Sequence, residues 1–413
     1  MKIELLKTLC GLAGVSGFED EVREYLIEQW SKFLDELKVD GLGNLSGVMK
    51  STSREQPKLN VLFMAHMDEV GLIVSHISDK GFVYFDALGG QNDDVLSGQI
   101  WHIHTEQGKV IGYTGIESGH TMPSFPSTDK LNQKQFFIDV GTDSREATEA
   151  LGIRSGLPIS YGGESFIQTG EHRILAKALD DRFALSLLTE LLEKIAPIKD
   201  TLPFNIYIAA TVQEELGMRG AKTVYKSLQV KPDLVINLDI GLARDYPLLY
   251  SQNSKNVSST TPKLAGGLTI TTYDSSMISN PTLTNYLINL SKKSELKYQL
   301  DSSMNSSTDG CCLQQSGRGY PVANIGIPVR YAHSHLNMMD SRDYDDLLNF
   351  LSLFCANYNL TEHNRIFPDI SSATKKGFFV QKSNEISTSM PGPILGTQIE
   401  NKETTTNTGI TLI

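Results

Sequence analysis

The residues able to do chemistry sit at the ends of short apolar runs. NVLFMAH (60–66) ends in His66-Met67-Asp68, FNIYIAATV (204–212) is followed by Gln213-Glu214-Glu215, and DLVINLD (233–239) ends at Asp239. The segment ILAKALDDR delivers Asp180-Asp181 just ahead of an apolar-periodic stretch, and IPVRYAHSH delivers His333 and His335. Imidazole and carboxylate groups together suit Zn²⁺ or Co²⁺. Taken singly, each motif is commonplace. A His-x-Asp is usually a hydrogen-bonded surface pair, Glu-Glu before Gly a solvated turn, and Asp-Asp before a helix an N-cap favoured by the helix dipole. Independent strand ends rarely all carry ligands, so the set as a whole reads as a metal site.

Positioning these residues needs a sheet. The runs at 60–66, 204–212 and 233–239 read as buried strands, and helical periodicity is clear at 19–36, 181–195 and 341–360. The N-terminus reads as a first helix, a break at Gly14 and Gly17, and the second helix from about Glu19. Alternation of such elements predicts an α/β fold, a mixed or parallel sheet covered on both faces. In an open sheet of this kind ligands bind outside the carboxyl ends of the strands, so the metal-binding residues converge on one crevice. The stretch 70–170 has a different texture: GFVYFDALGG, QIWHIHTEQGKVIGYTG, QFFIDVG and GLPISYGG are short, Gly-punctuated and rich in β-branched and aromatic residues. It predicts a small all-β barrel or sandwich inserted between two halves, 1–69 and 171–361, of the α/β domain. Residues 362–413 are rich in Ser, Thr and Asn without sustained period and read as a disordered or loosely attached tail.

Bulk properties agree. A chain of 413 residues exceeds one ordinary core, which makes two domains the expectation. Hydrophobic residues are 40% and charged residues 21%, a globular composition. A net charge of -11 and a pI near 5.4 argue against nucleic acid or an anionic membrane surface as partner. No run approaches the roughly 18 apolar residues that span a bilayer, and Glu19 and Asp20 interrupt any signal-peptide pattern. Cys10, Cys311, Cys312 and Cys355 include no CxxC pair and make no disulfide framework in a chain this size. Reduced thiols and a cytoplasmic location are expected.

Across most of residues 1–360 the chain carries, in order, LLKTLCGLAGVSGFEDEVRE, AHMDEVGLIV, FFIDVG, AKALDDR, QEELGMRGA, NLDIG, SSTDG and IPVRYAHS. In these it resembles the tetrahedral (TET-type) aminopeptidases, family 42 of the metallopeptidases. The resemblance implies an α/β/α metallopeptidase domain and hydrolysis of the N-terminal peptide bond of short peptides. It implies two metal ions, one held by His66, Asp180 and Asp239, the other by Asp180, Glu215 and His333, with Asp180 bridging. Zn²⁺ is the expected metal, with Co²⁺ or Mn²⁺ as alternatives. Glu214 matches the general base that deprotonates a metal-bound water and passes the proton to the leaving amine. Asp68 would orient His66 by accepting its other ring N–H. Asp181 and Arg182 read as structural, through capping and pairing. The resemblance further implies a closed homo-oligomer, from dimer to tetrahedral dodecamer, built partly through the inserted domain.

One departure stands out. The chain reads His333-Ser334-His335 where the family continues differently, and on strand spacing His335 would share a face with His333 and compete as ligand. His333 is favoured by its place in the RYAHS match. His76, His102, His104, His120, His172 and His363 lack matching partners. Alternative readings are a related two-metal deacylase or carboxypeptidase, an endoglucanase-type glycosidase and an inactive scaffold. An N-acylated substrate separates the first, and insensitivity to chelation the second.

Overall fold

Four parallel strands form the centre of an eight-stranded sheet, and three of them deliver site residues directly from their carboxyl ends. In the computed structural model the described residues are 1–368, apart from 55–57, 117, 119, 121–131, 229–230, 248–260 and 318. Across the sheet the strands run Glu36–Val39, Leu45–Met49, Phe204–Thr211, Leu59–His66, Leu234–Leu238, Val322–Gly326, Leu268–Asp274 and Tyr298–Ser303. The third to sixth of these are mutually parallel. Strands Leu234–Leu238 and Val322–Gly326 are buried at every position, as expected where both faces are covered.

Alternation along one strand builds both layers of core. Val61, Phe63 and Ala65 join Trp30, Phe183, Leu187, Leu351 and Phe354 on one face, beneath the helices Asp20–Trp30, Leu179–Ile195 and Ser341–Asn357. Leu62 and Met64 point the other way, to Ala221, Val224, Cys311 and Leu313 of the helices Arg219–Ser227 and Gly310–Gln314. All four cysteines are buried and free. No helix among the described residues is long and apolar enough to cross a membrane.

Residues 71–161 form a separate five-stranded antiparallel sheet, ordered Val83–Leu88, Gly71–Ile77, Pro158–Tyr161, Gln99–Thr105 and Gly108–Thr114. Its two edges are joined. Val83 on one edge exchanges backbone hydrogen bonds with Ile138, and Tyr113 on the other with Asp139, so one short segment closes the sheet into a barrel. Leu72, Phe85, Trp101, Ile103, Ile138 and Ile159 fill it with a core of its own.

Two helix ends differ from the periodicity. The helix expected over 19–36 stops at Trp30, and Glu36–Val39 instead pairs antiparallel with Leu45–Met49 at the sheet edge. Leu34, in the turn after the helix, and Leu37, in the strand, still pack on the main core, so the apolar spacing was real but served a turn and a strand, where ladder hydrogen bonds outweigh helical propensity. The helix expected over 341–360 ends at Asn357; Asn359 then caps a short helix, Leu360–Ile366, by accepting from the Glu362 amide. The expected tail boundary at 362 falls inside this helix, because Ile366 is buried against the main core. Residues 1–367 form one compact unit, and 369–413 lie outside the described residues.

Candidate active site

The parallel register places His66 directly opposite Thr211, so the loop Gln213-Glu214-Glu215 starts beside the histidine. Asp239 follows the next parallel strand, and its amide donates to Ile325 of the strand beyond. That approach requires glycine at 326, where a Cβ would overlap the Asp239 carbonyl oxygen. Non-glycine residues in the left-handed region surround the site: Ala178 (φ 54°), Gln213 (φ 54°), Met218 (φ 57°) and His333 (φ 58°). Such conformations cost energy and persist where surrounding packing over-determines them, commonly at functional sites. Asp180 and Asp181 sit at the head of the helix Leu179–Ile195 but lack helical φ/ψ, which turns their carboxylates out of the helical repeat.

The five expected ligands meet. Ligand atoms of His66, Asp180 and Asp239 lie within 4.8 Å of one another, as do those of Asp180, Glu215 and His333. Asp180 belongs to both groups: its Oδ1 faces His66 Nε2 at 3.1 Å and its Oδ2 faces His333 Nε2 at 3.3 Å. Glu215 Oε1 lies 3.3 Å from the same His333 nitrogen. A third, overlapping group of His66, Glu214 and Glu215 meets the same 4.8 Å limit and puts the Glu214 carboxylate beside the first imidazole. The site opens into a cleft of about 510 Å³.

Backbone carbonyls set both imidazoles. His66 Nδ1 lies 3.0 Å from the Asp68 carbonyl oxygen, and His333 Nδ1 hydrogen-bonds the Gly90 carbonyl oxygen. With a proton held on Nδ1, each Nε2 is left as the ring atom that shares a proton or a cation with the carboxylates. The expectation for Asp68 is thereby refined. Its backbone oxygen is nearer His66 Nδ1 than its Oδ1, which stands at 3.4 Å. Its carboxylate instead accepts from the amides of Glu214 (2.9 Å) and Glu215 (3.1 Å) and from Ser16 Oγ (2.5 Å), pinning the Glu-Glu loop to the strand end.

Carboxylates outnumber described cations in this buried cluster, and the proton affinities reflect it. Burial, with Asp239, Asp309 and Glu215 nearby, pushes the Glu214 carboxyl well above its ordinary range. Burial and Asp180 do the same for Asp239, and burial raises Glu215. For Asp180 burial acts the same way, but hydrogen bonds with His333 and His66 prevail and hold its pKa below the ordinary range. Burial opposes charge on His333, yet the Asp180 and Glu215 carboxylates push it up to about 12. Protons and divalent cations compete for these same atoms, and a bound cation offsets the charge that burial makes costly. The donor set fits divalent metal.

His335 stands outside the three ligand groups found among the described residues. The chain there turns through left-handed Tyr331 and His333 rather than running as a strand, so the two-residue rule fails. His335 stacks edge-on against Tyr161 of the barrel, centroids 4.9 Å apart. Asp181 lies behind the site, accepting the His66 amide at 3.3 Å. Fully buried Arg182 donates to the carbonyls of Met67 (2.9 Å) and Leu9 (2.6 Å), which makes its structural reading a matter of bracing the His66 loop. Sequence reading missed three supports. Asp309 accepts from Thr211 Oγ1 behind the strand ends, and its pKa is raised to about 7 by burial. The Gly90 carbonyl has no side-chain signal at all. Glu69 forms a buried pair with Lys177 at 2.5 and 2.6 Å beside Arg182; its signal was the charge adjacent to the His66 motif.

The family model of the M42 glutamyl aminopeptidases matches residues 43–350. This chain belongs to that family. An M42 aminopeptidase is a hydrolase that uses divalent metal, which accords with the donor set at the strand ends. The chain is 34% identical over 356 residues to the putative aminopeptidase FrvX of Escherichia coli K12, covering 86% of this chain and 95% of that one. Among solved structures it resembles a TET aminopeptidase from a marine-sediment Thaumarchaeota archaeon, with TM-score 0.80, 31% identity and coverage of 88% and 99%. The Pyrococcus horikoshii TET1 peptidase, which assembles into a tetrahedron or a large octahedral shell, matches with TM-score 0.74, 26% identity and coverage of 86% and 99%.

Proposed function

We propose that this M42 aminopeptidase works with two ions, zinc foremost, held by His66, Asp180, Glu215, Asp239 and His333, with Glu214 as general base. The observation that carries the proposal is the shared Asp180 carboxylate, with a different imidazole Nε2 facing each of its oxygens at 3.1 and 3.3 Å. Two adjacent cations need such a set: a nitrogen and a private carboxylate for each, and one carboxylate between them. Mixed imidazole and carboxylate donors suit Zn²⁺, with Co²⁺ or Mn²⁺ able to substitute.

Bound divalent ions supply Lewis acidity, polarising the scissile carbonyl and acidifying nearby water. The remaining work falls to the chain. Glu214, whose carboxyl burial holds above the ordinary range, takes a proton from the attacking water and returns it to the leaving amine. Asp68 holds the amides of Glu214 and Glu215, so that one carboxylate serves as base while its neighbour serves as ligand. The assembled relative supports a closed homo-oligomer, in which short or unfolded peptides are the substrates that enter.

Metal analysis with a leucyl arylamide assay tests the reading. Two ions per chain, loss of hydrolysis on chelation and its return with Zn²⁺ are expected. Undiminished hydrolysis after chelation overturns the metal role, and a single ion per active chain overturns the two-ion site. Faster cleavage of an N-acylated amino acid than of the arylamide would make the enzyme a deacylase.

A further inference from the structure

We infer that Asp301 makes the cleft select a cationic N-terminal side chain, lysine or arginine. The inference rests on the aminopeptidase reading and assigns its substrate class.

The cleft that holds the ligand set continues past it to Met218, Ile240, Leu242, Thr271, Asp274 and Asp301. Among its described lining residues there is no lysine or arginine, and the two acids beyond the ligand cluster differ in what they have to offer. Asp274 is spent: its Oδ1 accepts from the Ser276 amide, the Ser276 hydroxyl and the Met277 amide at 2.6–2.8 Å, and its Oδ2 from Asn324 at 3.3 Å. Asp301 is only 8% exposed, and its carboxylate accepts from two backbone amides, Ser302 at 2.8 Å and Leu242, with no side-chain donor among its described hydrogen bonds. Burial raises its pKa, although the Leu242 amide and exposed Arg244 favour its charge. Arg244 itself lines the adjacent cavity with Tyr246, not this cleft.

The carboxylate is also rigidly presented. Asp301 lies in the strand Tyr298–Ser303, opposite Thr271 of the neighbouring strand, with Leu300 and Ser302 on either side facing out. A strand-borne group in a fixed register holds its place better than one on a loop. A buried carboxylate with acceptor capacity to spare costs free energy that a cation arriving in the cleft offsets. A lysine side chain matches both halves of the environment: its aliphatic stem lies along Ile240 and Leu242, and its ammonium meets the carboxylate in a charge-assisted hydrogen bond. A glutamyl side chain in the same place meets the Asp301 carboxylate as a like charge, and Arg244, the cation that acts on Asp301, lines the adjacent cavity instead.

The test uses the full-length, zinc-reconstituted enzyme with lysyl, norleucyl and glutamyl arylamides. Norleucine has the lysine stem without the ammonium, so the lysyl-to-norleucyl ratio of kcat/KM isolates the charge. Wild type is expected to favour lysyl by roughly 10–100-fold, the range of one charged hydrogen bond. Asp301→Asn should bring that ratio close to one, and Asp301→Lys should turn preference toward glutamyl. Product inhibition of the wild type, with free lysine binding more tightly than norleucine, gives a readout that needs no variant. Equal or better cleavage of norleucyl by wild type overturns the inference and leaves the aminopeptidase reading standing. Retention of the lysyl preference in Asp301→Asn does the same. A wild type that cleaves none of the three overturns both.

Discussion

Adjacent glutamates in different surroundings are the sharpest feature at the level of single residues. Glu215 Oε1 faces His333 Nε2 at 3.3 Å, while the Glu214 carboxylate joins His66 on the cleft side. Changing each to Gln should therefore fail in a different way. Glu214→Gln keeps shape but cannot accept a proton, so kcat should drop by about 10²–10⁴-fold with metal content unchanged. Glu215→Gln should lose one ion and melt at lower temperature, because ion binding contributes to folding. Metal analysis beside steady-state kinetics separates the two, and the reverse pattern would exchange the roles. The conservative change is informative because Asp68 holds both amides in place, whichever side chain follows.

At the level of elements, the site depends on strands approaching one another without side chains between them. Gly326 lets its strand end pass the Asp239 carbonyl, and an added methyl has no room there. Gly326→Ala should shift Asp239, cost about 1–3 kcal/mol of stability and lower metal occupancy. A melting temperature and metal content equal to wild type would show that the strand end can move aside freely. The barrel carries its own pH dependence. His104 Nε2 pairs with Ser160 Oγ at 2.8 Å, and burial, then Lys109, lowers its pKa from 6.5 to about 4. Between those values the unfolded chain takes up a proton that the folded barrel does not. Stability is thus present above about pH 6.5 and falls as pH drops toward 4. Wild type should melt lower at pH 5 than at pH 7, and His104→Gln should narrow that difference. An unchanged gap in the variant would assign the pH dependence to other groups.

At the scale of the molecule, the barrel exposes apolar side chains beyond what its own core needs. Ile111 is 65% exposed, Tyr113 49% and Ile100 44%, and all three lie on the adjoining strands Gln99–Thr105 and Gly108–Thr114. An apolar patch of this kind commonly marks a contact between chains. Light scattering at micromolar concentration should report a homo-oligomer, and Ile111→Asp should shift it to smaller species while far-ultraviolet circular dichroism stays native. A monomeric wild type would remove the assembly proposal and leave the catalytic one intact.

Chemistry was legible along the chain because each ligand ends an apolar run or heads a helix, so the pattern of types survives without coordinates. That pattern marked His66, the Asp180-Asp181 and Glu214-Glu215 pairs, Asp239 and the His333/His335 stretch, and the parallel strands behind them; choosing five among these came from the resemblance to the TET-type family. The barrel's texture, short Gly-punctuated β-rich runs, was legible on the same footing. Its closure through Ile138 and Asp139 was not, since a two-residue bridge leaves no periodic trace. Periodicity also misjudged residues 31–36, where the same apolar spacing suits a helix face or a turn leading into an edge strand until a partner strand is present. The choice between His333 and His335 depended on left-handed backbone at Tyr331 and His333, which alternation cannot anticipate. Supports supplied by a carbonyl, such as Gly90 to His333 and Asp68 to His66, are invisible in any sequence, because every residue has that group and only folding aims it.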